Sequence, residues 1–270
     1  MSRVIAVANQ KGGVGKTTTC VNLAASLAAT KRTVLLIDLD PQGNASVGSG
    51  YRPEAGQVTM NDVLLGRVTL KAAKIKTLGQ YDLLPADSSL TVAEVRLLQL
   101  EKREYLLRAV LAASLNDYDF ILIDCPPSLN MLTVNALVAA HSVLIPMQCE
   151  YYAMEGLAAL LNTIENLQLT ANPSLKLAGL LRTMFDGRNR LALEVSMQLI
   201  EHFGSKVFET VIPRNVRLAE APSHGVPILF YDNKSQGAAA YLALAGEVIR
   251  REQLSNRAIN SNEKEAMHVD

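Results

Sequence analysis

Residues 9–19 read Asn9-Gln10-Lys11-Gly12-Gly13-Val14-Gly15-Lys16-Thr17-Thr18-Thr19. Glycines at 12, 13 and 15 let the backbone bend tightly and turn consecutive N–H groups toward one anion. A helix opening behind them adds partial positive charge. In such a loop Lys16 reaches the β- and γ-phosphates of a nucleotide and the Thr17 hydroxyl ligates Mg²⁺. Gly12, Gly13, Val14, Gly15 and Thr18 wrap the phosphates. The loop departs from G-x-x-x-x-G-K-[ST], because Gln10 stands where the first glycine belongs and Lys11 adds a second lysine. The dinucleotide pattern G-x-G-x-x-G fits worse: read from Gly13 and Gly15, its third glycine falls on Thr18. That argues against a nicotinamide or flavin enzyme.

Two further motifs carry carboxylates. In Leu35-Leu36-Ile37-Asp38-Leu39-Asp40-Pro41-Gln42-Gly43-Asn44, two aspartates close an apolar run. Ligands of open parallel sheets bind at such strand ends. Asp40 is placed to orient an attacking water and Asp38 to support it, although spacing alone also allows two carboxylates that cap the following turn. In Phe120-Ile121-Leu122-Ile123-Asp124-Cys125-Pro126-Pro127, four apolar residues end in Asp124, which can hold Mg²⁺ through a water. The adjoining Ser128-Leu129-Asn130 is placed to sense a γ-phosphate.

These groups need a scaffold that aligns strand ends. Apolar runs at 3–8, 33–38, 81–85, 119–124, 142–147, 176–184 and 206–212 alternate with helical patterns near 16–30, 90–114, 131–140, 153–170, 190–203 and 235–251. Such alternation predicts an α/β fold, a doubly wound and mostly parallel sheet with helices on both faces. The reading is one domain over 1–254 and a polar, disordered tail over 255–270, with a loop at 41–60. Among 270 residues, 26 basic and 26 acidic side chains give zero net charge, which excludes a globally basic coat for nucleic acid but not a local patch. Cys20, Cys125 and Cys149 form no C-x-x-C. They read as buried apolar residues of a reducing compartment and offer no paired ligands to an iron–sulfur cluster. With no signal peptide and no span long enough for a bilayer, the expected location is cytoplasmic.

The loop K-G-G-x-G-K-T resembles the deviant Walker A loop of the ParA/MinD group of P-loop ATPases. The string D-x-D-P-Q-G-N is similar to that group's second signature. The stretch Val211-Ile212-Pro213-Arg214-Asn215-Val216-Arg217 through Gly225 resembles the ParA/Soj branch, the partitioning ATPases of chromosomes and plasmids. The resemblance spans roughly residues 3–250. It implies that Lys11 crosses to the partner's nucleotide in an ATP-bound homodimer, where spacing alone leaves it a solvated loop lysine. It also implies that Asp40 is needed for hydrolysis and that Pro213 and Asn215 lie against the adenine. Arg188 and Arg217 match positions that contact double-stranded DNA without sequence preference, in a protein stimulated by a ParB-type partner and associated with the nucleoid.

The loop begins at residue 11, which leaves no room for the helix-turn-helix of long plasmid forms. The tail lacks MinD's basic amphipathic helix, so no membrane partner is expected. Arg214, Lys234, Arg250 and Arg251 could join Arg188 and Arg217 on one DNA-binding surface. His224 reads as structural. The alternatives are a MinD-like membrane-cycling ATPase, an amide- or ring-forming synthetase of related fold, and a scaffold that binds ATP without turnover. The intact Asp40 and Asp124 argue against the last.

Overall fold

The computed structural model describes residues 2–54 and 56–266, with 255–266 described by backbone alone. Eight strands form one sheet: β1 (Arg3–Val7), β2 (Val34–Asp38), β3 (Ile75–Lys76), β4 (Asp82–Leu84), β5 (Phe120–Asp124), β6 (Ser142–Gln148), β7 (Lys176–Phe185) and β8 (Val207–Pro213). Their order is β3-β4-β2-β5-β1-β6-β7-β8, and every ladder is parallel except β3–β4. This is the doubly wound architecture that the alternating pattern predicts. The chain leaves central β1 toward one edge and returns through β5. It then fills the other side with β6, β7 and β8, so the switch in direction falls at β1.

Side chains alternate across each strand. Val4, Ala6 and Ala8 face one core, while Ile5 and Val7 face the other. The first core is covered by α3 (Met60–Leu64), α4 (Leu70–Ala73), α5 (Leu90–Leu97), α6 (Leu106–Ala112), α7 (Met131–Ala139), α8 (Ala153–Thr170) and α9 (Arg190–Phe203). The second lies under α1 (Lys16–Ala29), α2 (Asn44–Gly48), α10 (Val216–Glu220), α11 (Ile228–Tyr231) and α12 (Gln236–Ala266). All three cysteines are buried and unpaired.

Several expectations change in detail. The helix expected over 90–114 is broken, with Lys102 at a left-handed φ of 52° between α5 and α6. Buried Asn135 makes the break tolerable: its amide accepts from Leu107 N and donates to Arg103 O, groups the turn would otherwise leave unpaired. The loop expected at 41–60 contains α2. Gly43 starts it at φ 64°, and a Cβ there would lie 2.8 Å from Ala86 O, so only glycine fits. The helix α12 runs through 255–266, the stretch read from sequence as a polar tail. Residues 267–270 of that stretch lie outside the described residues.

Edge strand β8 is irregular. Leu180 pairs with Val207 but Arg182 pairs with Val211, so β8 carries two extra residues between these points. Two ions hold the bulge. Arg182 donates to the carbonyls of Phe208 and Glu209, and the Glu247 carboxylate of α12 accepts from the amides of Glu209 and Thr210.

Candidate functional site: a phosphate cradle at the sheet switch point

The loop between β1 and α1 has two residues that must be glycine, Gly13 at φ 74° and Gly15 at φ 86°. Gly15 caps α1, whose first N–H groups therefore face the loop. A Cβ on Gly12 or Gly13 would meet nothing within 4 Å, so the loop is an open cradle that side chains would fill. Two long-range bonds brace it. Thr183 of β7 donates to Val14 O at 2.8 Å, and Asn9 donates to Pro146 O at 2.8 Å while accepting from Lys11 N at 3.0 Å.

Lys16 is only 7% exposed and donates to the carbonyl of Lys11 at 3.1 Å. Burial lowers its pKa; the nearby Asp124, Cys125 and Asp40 oppose that shift. The Thr17 hydroxyl donates to Asp124 Oδ2 at 2.7 Å. Parallel pairing sets Asp38 abreast of Asp124, and Asp124 abreast of Val7. Asp38 and Asp124 are both fully buried, and burial pushes both carboxyls up from the ordinary range.

Asp38 has no free oxygen: Oδ1 accepts from Asp40 N, and Oδ2 accepts from both the amide and the hydroxyl of Ser46. Its role is to fix the turn that carries Asp40. Asp40 accepts from Gln42 N through Oδ1 alone. Its other oxygen is left to bond a water. Thus Asp40 and Asp124 converge on Lys16, and Asp124 also on Thr17, two carboxylates against one buried ammonium. A polyphosphate with a divalent cation fits this arrangement: Thr17 and Asp124 would hold the cation, and the ammonium of Lys16 would face the phosphates.

Beyond the loop extends a cavity of about 720 Å³, lined by Gly12, Lys16, Asp40, Pro213 and Asn215 among others. The structure thus brings Pro213 and Asn215 to the cradle. Asn215 caps α10 by accepting from Leu218 N, which leaves its NH₂ group available.

A family model described as an AAA domain matches residues 2–177. The chromosome partitioning protein ParA of Caulobacter vibrioides is 51% identical, over 93% of this chain and 95% of its own length. The sporulation initiation inhibitor protein Soj of Bacillus subtilis is 49% identical, over 92% and 98%. The chain belongs to the ParA/Soj family of P-loop ATPases. Among solved structures, a Mycobacterium smegmatis protein described as cobyrinic acid a,c-diamide synthase, with bound ADP and magnesium, superposes with a TM-score of 0.83. It is 41% identical, over 94% of this chain and 96% of its own.

Other members of the predicted set sit outside the cradle. Lys11 reaches across the mouth to Glu150, just past the end of β6, at 2.5 Å. Arg188 is held by Asp186 in a two-pronged pair at 2.8 and 2.9 Å. Arg217 pairs with Glu220 at 2.8 Å and with Asp232 at 3.6 Å. The expected single surface is not formed. Arg214 and Arg217 follow the C-terminal end of β8, whereas Arg251 donates to Ser205 and Val207 carbonyls at its N-terminal end. His224 packs against the Tyr231 ring, as a structural histidine would. Ser46, Thr183 and Glu150 escape the motif reading. Glu150 alone leaves a trace in sequence, as a carboxylate at a strand end.

Proposed function

We propose that this ParA/Soj ATPase is a Mg²⁺-dependent switch. With ATP two copies form a dimer that binds double-stranded DNA without sequence preference, and hydrolysis stimulated by a ParB-type partner releases it. The observation that carries the reading is the convergence of Lys16, Thr17, Asp124 and Asp40 on one cradle, in a chain half identical to chromosome partitioning proteins over nearly its whole length. In this reading Gly12 to Thr18 hold the phosphates, and Pro213 and Asn215 flank the adenine. Mg²⁺, when bound, offsets the charge developing on the transferred phosphoryl group. Thr17 and Asp124 hold it, and Asp40 orients the water with its free oxygen. Lys11 leaves Glu150 and enters the partner's site, and Arg188 and Arg217 contact DNA phosphates. The expected location is the nucleoid.

Co-sedimentation with two unrelated duplexes, in ATP, in ADP and without nucleotide, tests this. DNA carried down only with ATP, and equally for both sequences, is the expected result. Nucleotide-independent binding would sink the switch. A second reading, amide formation, draws on the function attached to the M. smegmatis structure. ATP turnover that needs an organic acid and an amide donor would favour it over the switch. For the membrane-cycling alternative, no helix among the described residues is long and apolar enough to cross a membrane. ATP-dependent flotation with anionic vesicles would be its signature.

A further inference from the structure

Ser46 lies in α2, fully buried, and its hydroxyl both donates and accepts. It donates to Asp38 Oδ2 at 2.7 Å and accepts from the buried amide of Ala86 at 2.9 Å. The Ser46 amide donates to the same Oδ2 at 2.8 Å. The other oxygen, Asp38 Oδ1, accepts from Asp40 N at 3.2 Å. An unbroken bonded path therefore runs from the segment after β4, through Ser46 and Asp38, to the backbone of Asp40.

The remaining bonds of Asp40 are internal to its own turn. Among the described residues its carboxylate accepts from Gln42 N alone, and its carbonyl accepts from Gly43 N. Such bonds shape the turn without aiming it. Upstream, Leu39 N donates to Asp124 O, which fixes the strand end and not the side chain that follows. The aim comes from Asp38 and from Ala86. The Ala86 amide meets Ser46, and the Ala86 carbonyl lies 2.8 Å from where a Cβ on Gly43 would stand. One residue thus holds the turn on both flanks.

An alanine at position 46 would leave Ala86 N buried without a partner and take one of two donors from Asp38 Oδ2. The Asp38 carboxylate would then be less firmly set, and Asp40 N with it. Ser46 does not line the nucleotide cavity, although its neighbours Asn44 and Val47 do. Its loss should fall on orientation and not on nucleotide binding.

We infer that Ser46 is a positioning residue for hydrolysis. Its hydroxyl sets the direction of Asp38, and Asp38 holds the backbone that points the free oxygen of Asp40 toward the water. This rests on the role proposed above for Asp40.

The test is a double-mutant cycle on the full chain. Single-turnover hydrolysis of Mg²⁺-ATP and equilibrium binding of a labelled ATP analogue are measured for wild type, Ser46→Ala, Asp40→Ala and the double variant. Ser46→Ala should slow turnover on the order of tenfold with analogue affinity unchanged. The double variant should be no slower than Asp40→Ala, because no carboxylate remains to be aimed. Ser46→Thr keeps the hydroxyl and should restore turnover. Ser46→Cys, close in size but a weak hydrogen-bonding group, carries the same cycle if the alanine protein fails to fold. Wild-type turnover in Ser46→Ala beside a slow Asp40→Ala overturns this inference and leaves the role of Asp40 standing. An equal slowing by Ser46→Ala with and without Asp40 also overturns it, since Ser46 would then act by another route. Near-normal turnover in Asp40→Ala removes both.

Discussion

Asp40 and Asp38 differ by two positions and by everything around them. Asp38 has both oxygens filled by Asp40 N and Ser46. Asp40 has one free. Asp40→Ala should therefore keep ATP binding and lower turnover on the order of 10²-fold, since the loss falls on the reacting water and not on the ground state. Single-turnover hydrolysis beside equilibrium binding checks it; near-normal turnover would move the role elsewhere. Lys11 poses a different question. Its pair with Glu150 is about half exposed, 41% and 50%, and such pairs contribute at most about 1 kcal/mol. Glu150→Gln should free Lys11 and favour the ATP-bound dimer by up to roughly fivefold, while Lys11→Ala should bind ATP and stay monomeric. Light scattering across an ATP titration reads both. A Lys11→Ala protein that dimerises like wild type would remove the cross-subunit role.

At the scale of elements, the two arginines proposed to meet DNA already hold local counter-charges, Arg188 in the turn after β7 and Arg217 in α10. Asp186, just past β7, grips Arg188, and this pairing draws its carboxyl down to about 2. Arg188→Glu and Arg217→Glu should weaken ATP-dependent DNA binding and lower its salt slope by about one for each phosphate left unneutralised. Asp186→Asn should do the reverse and strengthen binding, because Arg188 then meets phosphate without first leaving a carboxylate. Filter binding over a salt series separates the two directions; if all three variants bind like wild type, DNA docks on another surface.

The same scale shows what could be read in advance. The cradle was legible because Gly12 to Thr18 are contiguous and follow an apolar strand. Asp124 was legible because parallel strands end together. The bracing was not: Thr183 reaches Val14 across 169 residues, and no local pattern announces that. Strand β3 has two residues, too few for a period. The break between α5 and α6 depends on Asn135, a partner from another helix.

For the whole molecule, the cradle ties β1, β2, β5 and β7 to α1, so ligand binding should stabilise the chain as a unit. At a hundred times its Kd a ligand adds about 2.7 kcal/mol. For a chain of this length about 1 kcal/mol moves Tm by about 2–4 °C, so Mg²⁺ with a non-hydrolysable ATP analogue should raise Tm by roughly 5–10 °C. Lys16→Ala should lose that rise, and chelating the metal should reduce it. A wild-type melt indifferent to nucleotide would mean that the cradle is not the binding site.

The pinned bulge of β8 bears on how the protein behaves when crowded. Any open sheet exposes two rows of unpaired backbone groups on which a neighbour's strand can grow. Here one border is the two-residue β3. On the other, carbonyls at Phe208 and Glu209 and amides at Glu209 and Thr210 are already taken by Arg182 and Glu247. Neither border offers a template of useful length. Copies at high concentration are thereby steered away from edge-to-edge polymerisation.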